Sequence, residues 1–493
     1  MKIKRNWLFF IVIAFPVFFL LHGVNEHFGL LRHVVIGQLL VYYILVGAAI
    51  GILCKLMLKN NERSAVFAFL LLSVFFFFGA VKDVMAKAPM ISSLTSYRIF
   101  LPLTFVFIVA CFILTRKLQF TFRRTVLFIT TLLVVFLVVE TATLIYNIAT
   151  GKEKQKDLGD SDQSLLKQLP VDDSIRKPYI FWIVLDEYTG GSVLRERWNF
   201  TNPLDTILRN RQFFVADTAR SPYNYTHYSL VSTLDMQYLD GLKEHSLIGF
   251  RDIVRGNISL QRTNTVSYLK KLGYNVINQT IYHVDEHPTE AREYFVNADF
   301  RLIDNQTLPG RIRQDVGWQF RRNNKAEGLI DESKYRLQLL DDGLKAANTA
   351  FQKGTPSMFM YHWMFTHEPF IYNADGSIDT TVGFGMYPEK YVPSINYANK
   401  QLTWFIDSLK ASAGNREIVI ILQGDHGYKF EERDPLFDRE GCSILYAIYC
   451  SDGRYAGWSN SLNSVNTFRL LFNKYFHTNL PTLENRSFNL YYR

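Results

Sequence analysis

The chain has 493 residues, enough for two or three domains with full-sized cores. Its mean hydropathy is close to zero, but that average covers two unlike parts. Residues 1–150 are dense in Phe, Leu, Val and Ile, and from about residue 151 the composition is that of a globular protein rich in Asn, Asp, Tyr and Arg. The net charge of +9 does not point to nucleic acid: many of the basic residues flank apolar spans, and no basic helix or aromatic-basic run offers a groove.

Five apolar stretches come first, at about 7–21, 34–54, 65–81, 99–115 and 124–146. Each approaches the roughly 17–25 residues that a helix needs to cross hydrocarbon. The first is short and holds Pro16, so a cleaved signal peptide is its alternative reading, but no small-residue cleavage site follows it. With a cytoplasmic N-terminus, the inside segments carry Lys2, Lys4, Arg5, Lys55, Lys59, Arg63, Arg116, Lys117, Arg123 and Arg124. The outside loops carry Arg32, Lys82, Lys87 and Arg98, so ten basic residues stand against four. That bias orients the spans, and five crossings deliver residue 150 to the far side of a cytoplasmic (inner) membrane.

Residues 151–177 are polar, without a sustained apolar period, and read as a linker or a helix lying along the membrane surface. From 178 to 493 short apolar runs alternate with amphipathic stretches. YIFWIVL (179–185), SMFMYHWMF (357–365) and EIVIILQGDHG (417–427) read as buried strands, and 395–412 reads as a helix. The expected fold is an α/β domain with a largely parallel sheet covered by helices, behind a five-helix transmembrane domain spanning 1–150. Cys442 and Cys450 bound a further apolar run, CSILYAIYC. As a strand it holds its ends roughly 26 Å apart, beyond disulfide reach, so both read as buried thiols unless the run turns back as a hairpin.

In a parallel sheet the ligand site lies at the carboxyl ends of the strands. Those ends carry Asp186 with Glu187, His367 in THEPF, and Asp425 with His426 in QGDHGY. Asp and His from separate strands suit a hard or borderline divalent cation. In SPYNYTHYSLVSTLDM a loop gives way to a helix, and Thr226, with Ser229, Ser232 and Thr233 behind it, offers a hydroxyl there; its plain reading is an N-cap.

VLDEYTGG, NYTHYSLVSTLDM, THEPF and QGDHGY occur in an order that resembles the alkaline phosphatase/sulfatase superfamily. The membrane-anchored branch, with lipoteichoic acid synthase and the phosphoethanolamine transferases, is similar in also placing about five transmembrane helices before an extracytoplasmic sulfatase-like domain. The resemblance implies an enzyme with one divalent metal ion, Mn or Zn. It implies Asp186, Thr226, Asp425 and His426 as metal ligands, with Glu187 as the alternative first ligand. Thr226 matches the nucleophile and His367 a substrate-binding histidine. The implied reaction moves a phosphoryl-containing headgroup from a membrane lipid donor to a glycan or lipid acceptor. A phosphate- or sulfate-ester hydrolase of the same fold and an inactive envelope scaffold are the alternatives. The formylglycine signature is missing at SPYNYT, and no Asp-x-x-x-His pair supplies a second metal site.

Overall fold

The computed structural model describes residues 6–119, 121–151, 165–166, 169–171, 175–291, 298–320, 325–382, 388–428 and 437–492. Lys2, Lys4 and Arg5, and most of the expected linker 151–177, lie outside the described residues. The chain divides into two compact units, Met1–Gln155 with Asn297–Asn323, and Lys156–Val296 with Asn324–Arg493.

The first unit holds five helices, each long and apolar enough to cross a membrane: α1 (Trp7–Glu26), α2 (His33–Leu58), α3 (Asn61–Lys87), α4 (Tyr97–Lys117) and α5 (Arg123–Ala149). The turn between α2 and α3 is sharp because Lys59 takes a left-handed conformation (φ 54°) and the Asn60 side chain accepts from the amides of Glu62 and Arg63. Pro16 inside α1 has no N–H for the carbonyl of Val12. Gly47 of α2 packs onto that carbonyl, where an added Cβ would lie 2.2 Å from the Val12 oxygen. A proline in one helix and a glycine in the next thus bring two backbones close together. Around this contact Phe15, Phe19, Tyr43 and Phe76 form an aromatic core, with the Phe19 and Phe76 rings 4.6 Å apart.

The remaining part of this unit comes from far along the sequence. Residues 298–320, which lie within the expected range 178–493, group with these helices. Ile303 is 1% exposed and sits in the helical core. The amide of Gly79 donates to the Gln306 carbonyl (2.8 Å), and Tyr43 donates to Asp304 (3.3 Å). Arg311 pairs with Asp83 (2.6 Å) and Asp315 (3.0 Å), and Lys82 and Tyr97 complete Asp315.

The second unit is built on a six-stranded sheet, in the order β2-β7-β6-β1-β5-β4. Its strands are β1 (Tyr179–Leu185), β2 (Phe214–Ala216), β4 (Asn275–Gln279), β5 (Ser357–Trp363), β6 (Ile418–Gly424) and β7 (Tyr446–Cys450). The strands β3 (Leu247–Ile248) and β8 (Tyr491–Tyr492) form a separate pair. Strands β6, β1, β5 and β4 run parallel, and β7 pairs antiparallel with β6 and with β2. Every residue of β1, β5 and β6 is buried, which is why these runs are continuously apolar instead of alternating. Side chains still alternate between two cores. Ile180, Trp182, Val184, Met358, Met360, Val419 and Ile421 point to one face. Phe181, Ile183, Leu185, Phe359, Tyr361, Ile420 and Leu422 point to the other.

Candidate active site

Register places the site. Leu185 pairs with Trp363 of β5 on one side and Gly424 of β6 on the other, so the three central strands end at one level. Asp186 and Asp425 are the next residues on β1 and β6. By the two-residue period Asp186 continues the face of Trp182 and Val184, and Asp425 that of Val419 and Ile421. His362 of β5 lies opposite Val184. Asp186, His362 and Asp425 are all buried and offer ligand atoms within 4.8 Å of one another.

Glu187 falls on the opposite side. It adopts φ 60°, its amide donates to Asp425 Oδ1 (2.9 Å), and its carbonyl accepts from Tyr391 (2.6 Å). Its charge acts on the phenols of Tyr391 and Tyr428, both in the second core. Asp186, not Glu187, therefore faces the cluster.

The histidines are oriented by hydrogen bonds that leave one ring nitrogen turned inward. His426 Nδ1 donates to the Gly427 carbonyl (2.7 Å), and His367 Nδ1 donates to the Glu368 carbonyl (2.6 Å). A carbonyl only accepts, so each Nδ1 carries a proton and Nε2 is the nitrogen turned to the cluster. His426 Nε2 lies 3.4 Å from Asp425 Oδ2 and 3.9 Å from Asp186 Oδ1, and His367 Nε2 lies 4.0 Å from Asp186 Oδ1. His362 Nε2 instead bonds Asp186 Oδ2 at 2.8 Å. Burial pushes the Asp186 carboxyl up, but His367, His362 and His426 outweigh it and hold the group well below the usual carboxylate range. Among the described residues, Asp186 Oδ1 and Asp425 Oδ2 are buried without a hydrogen-bond partner. Two orphaned carboxylate oxygens with imidazole nitrogens beside them are the donor set of a divalent cation, and the residues fit one.

Thr226 opens the helix Thr226–Asp235, whose residues Tyr228, Leu230, Val231 and Leu234 pack on the same face as the cluster. Tyr225, not Thr226, stands at the N-cap position, and no side chain caps the helix. Thr226 is half-buried, whereas Ser229, one turn on, is fully buried. The Tyr282 phenol borders the cluster. Burial pushes its pKa up, the charges of Asp186 and Asp425 push it further, and the nearby Thr226 side chain opposes them. Its ring lies 6.2 Å from that of His362 and 4.8 Å from that of His227. The structure thus gathers Asp186, His367, Asp425 and His426 and turns Glu187 away. It adds His362 and Tyr282, which the sequence reading did not single out. A lone imidazole in an otherwise apolar strand was the available signal for His362; Tyr282 carried none.

A family model described as Sulfatase matches residues 199–478, more than half of the chain. The chain belongs to the sulfatase family. Sulfatase-type enzymes are the class that the motif order implied, and the strand-end cluster lies where such a fold holds its site. Among solved structures, the chain resembles the C-terminal periplasmic domain of EcEptC from Escherichia coli, with 13% identity over 65% of this chain and 91% of that one (TM-score 0.39). It also resembles the integral membrane lipooligosaccharide phosphoethanolamine transferase A from Neisseria meningitidis, with 11% identity over 94% of each chain (TM-score 0.33). A protein in the alkaline phosphatase superfamily from Vibrio parahaemolyticus is similar at 14% identity, over 65% of this chain and 75% of that one (TM-score 0.39). No curated protein matches the chain.

Proposed function

We propose that this sulfatase-family chain moves a phosphoryl-containing headgroup from a membrane phospholipid to a glycan or lipid hydroxyl of the cell envelope, in two steps through Thr226. The observation that carries the reading is the buried Asp186–His362–Asp425 cluster with its orphaned carboxylate oxygens, to which the Tyr282 ring links the start of the Thr226 helix through His227. Asp186, Asp425, His426 and Thr226 are the residues we assign to one divalent ion, Mn or Zn, which when bound supplies positive charge that favours the threonine alkoxide and offsets phosphoryl charge.

In the first step Thr226 Oγ1 attacks phosphorus, the bond to the lipid alcohol breaks, and a phosphothreonine diester forms. The net proton movement is from the Thr226 hydroxyl to the departing alkoxide, and His367, partly exposed and with Nε2 turned to the cluster, is assigned to hand it over. In the second step an acceptor hydroxyl attacks the same phosphorus and Thr226 recovers its proton. The Tyr282 ring packs between His227, beside Thr226, and His362, and the buried walls around Asp186 and Asp425 exclude water from them. The five apolar helices suit a lipid donor, and on the charge bias of their loops we assign the N-terminus to the cytoplasm and the second unit to the far side of the membrane.

The test is peptide mass spectrometry of the full-length protein after incubation with mixed phospholipids and Mn²⁺ or Zn²⁺. A headgroup mass on the peptide carrying Thr226, absent from Thr226→Ala, supports the reading and names the donor. An adduct on Ser229 would remove Thr226 from the role. Release of free phosphate from soluble esters with no adduct would make the protein a hydrolase. Failure to bind metal or to consume any substrate would make it a scaffold.

A further inference from the structure

Phe300 closes a groove of about 500 Å³ against the first turns of α2, a volume in the roughly 300–1,000 Å³ range of small-molecule sites. Val35 and Leu39 are its buried wall, and Val34 and Tyr42 its exposed one. Two polar side chains line the same groove, Arg32 and Gln38. Arg32 gives Nε and Nη2 to Asp299 (3.1 and 3.2 Å), which fixes the guanidinium plane and leaves its Nη1 edge without a bond among the described residues. Gln38 is exposed and makes no hydrogen bond there either, although it stands in a helix long and apolar enough to span a bilayer. An amide near the start of such a span needs water or a lipid group to bond it.

The order along α2 is cation, then amide, then apolar surface. Gln38 lies six positions beyond Arg32, an axial step of about 9 Å, within which two flexible side chains can reach towards each other. A phospholipid presents the same order along its length: a phosphate, then ester carbonyls, then an acyl chain. The geometry points to a phospholipid site here. The phosphate rests on the Arg32 Nη1 edge, an ester carbonyl accepts from the Gln38 amide, and one acyl chain lies on Val35, Leu39 and Tyr42 beneath Phe300. The site exists only because Asp299 and Phe300 come back to the helices from the far part of the sequence. It rests on α1–α5 being membrane spans and is independent of the chemistry assigned to Thr226.

The test uses the full-length protein reconstituted in nanodiscs of phosphatidylethanolamine and phosphatidylglycerol, transferred to mild detergent and weighed intact by native mass spectrometry. The wild type retains one phospholipid through the wash. Gln38→Leu, which breaks no bond within the protein, lowers that occupancy by about fivefold, the loss of one hydrogen bond. Arg32→Ala lowers it further. Val138→Leu on α5 and Thr226→Ala leave it unchanged, so loss of transfer and loss of this site are read separately. Equal retention by Gln38→Leu and wild type, or a retained species without phosphorus, overturns the proposal.

Discussion

His362 Nε2 lies 2.8 Å from Asp186 Oδ2, with both side chains fully buried and drawn from adjacent parallel strands. The bond occupies one carboxylate oxygen and leaves the other, Oδ1, facing His367 and His426. His362 is thus a positioning residue for the cluster. Replacing it with Ala should lower divalent-metal affinity by about 10- to 100-fold, the usual effect of losing a partner that orients a ligand. Calorimetric titration of the metal-stripped protein checks this, with circular dichroism to show that the fold is kept. Unchanged affinity would remove His362 from that role.

Tyr282→Phe deletes the phenol oxygen near Thr226 and keeps the ring between His227 and His362. Losing the polar group that borders the attacking hydroxyl should lower kcat by about 10- to 100-fold. KM for the lipid donor should hardly change, because the phenol acts on the nucleophile and not on the lipid. A rise in KM at constant kcat would instead place Tyr282 on the substrate.

Cys442 and Cys450 are free and fully enclosed, and burial pushes their thiols up to about 12 and about 11. Neither should react with iodoacetamide at pH 8 in the native protein, and both should react after denaturation. The sign of the pH dependence follows from the raised folded values. The stability held by keeping these thiols protonated is intact below about pH 8.5, their ordinary value, and is lost as pH climbs towards the folded values. Melting temperature measured from pH 8 to 11 should therefore fall, with labelling of the two cysteines following it.

Gly79 touches the returning segment so closely that an added Cβ would lie 2.6 Å from the Asn305 oxygen. Gly79→Leu should loosen residues 298–320 by about 1–3 kcal/mol, the cost of overpacking. Amide exchange there should rise about 10- to 100-fold, with β1, β5 and β6 unchanged. Unaltered exchange in 298–320 would mean that the segment is held by other contacts.

Much of this was legible in the sequence because buried parallel strands are hard to mistake. Three apolar runs ended in Asp186, His367 and Asp425-His426, and equal register does the rest. Even the choice between Asp186 and Glu187 lay in the two-residue period of β1, since Asp186 shares the parity of Trp182 and Val184. His362 was not legible because its meaning depends on β5 lying next to β1, which is a matter of strand order. Tyr282 follows β4 at the sheet edge and reaches the site only because β4 pairs with β5. The segment 298–320 was hidden for a different reason. Its anchors are single apolar and charged side chains, Ile303, Asp304 and Arg311, that meet a glycine surface, a phenol and an acid on the helices, and such contacts leave no periodic trace.

That return of the chain also sets an order of events during synthesis. The last apolar helix ends at Ala149, and the segment that packs into the helical core begins at Ala298. At about 5–20 residues per second, roughly 7–30 seconds pass between the two. Throughout that interval the newly inserted helices must wait with Tyr43 and Gly79 uncovered. A fragment beginning after Ala149 meets the converse problem, since it carries Ile303 and Arg311 with neither the helical core nor Asp83 to receive them.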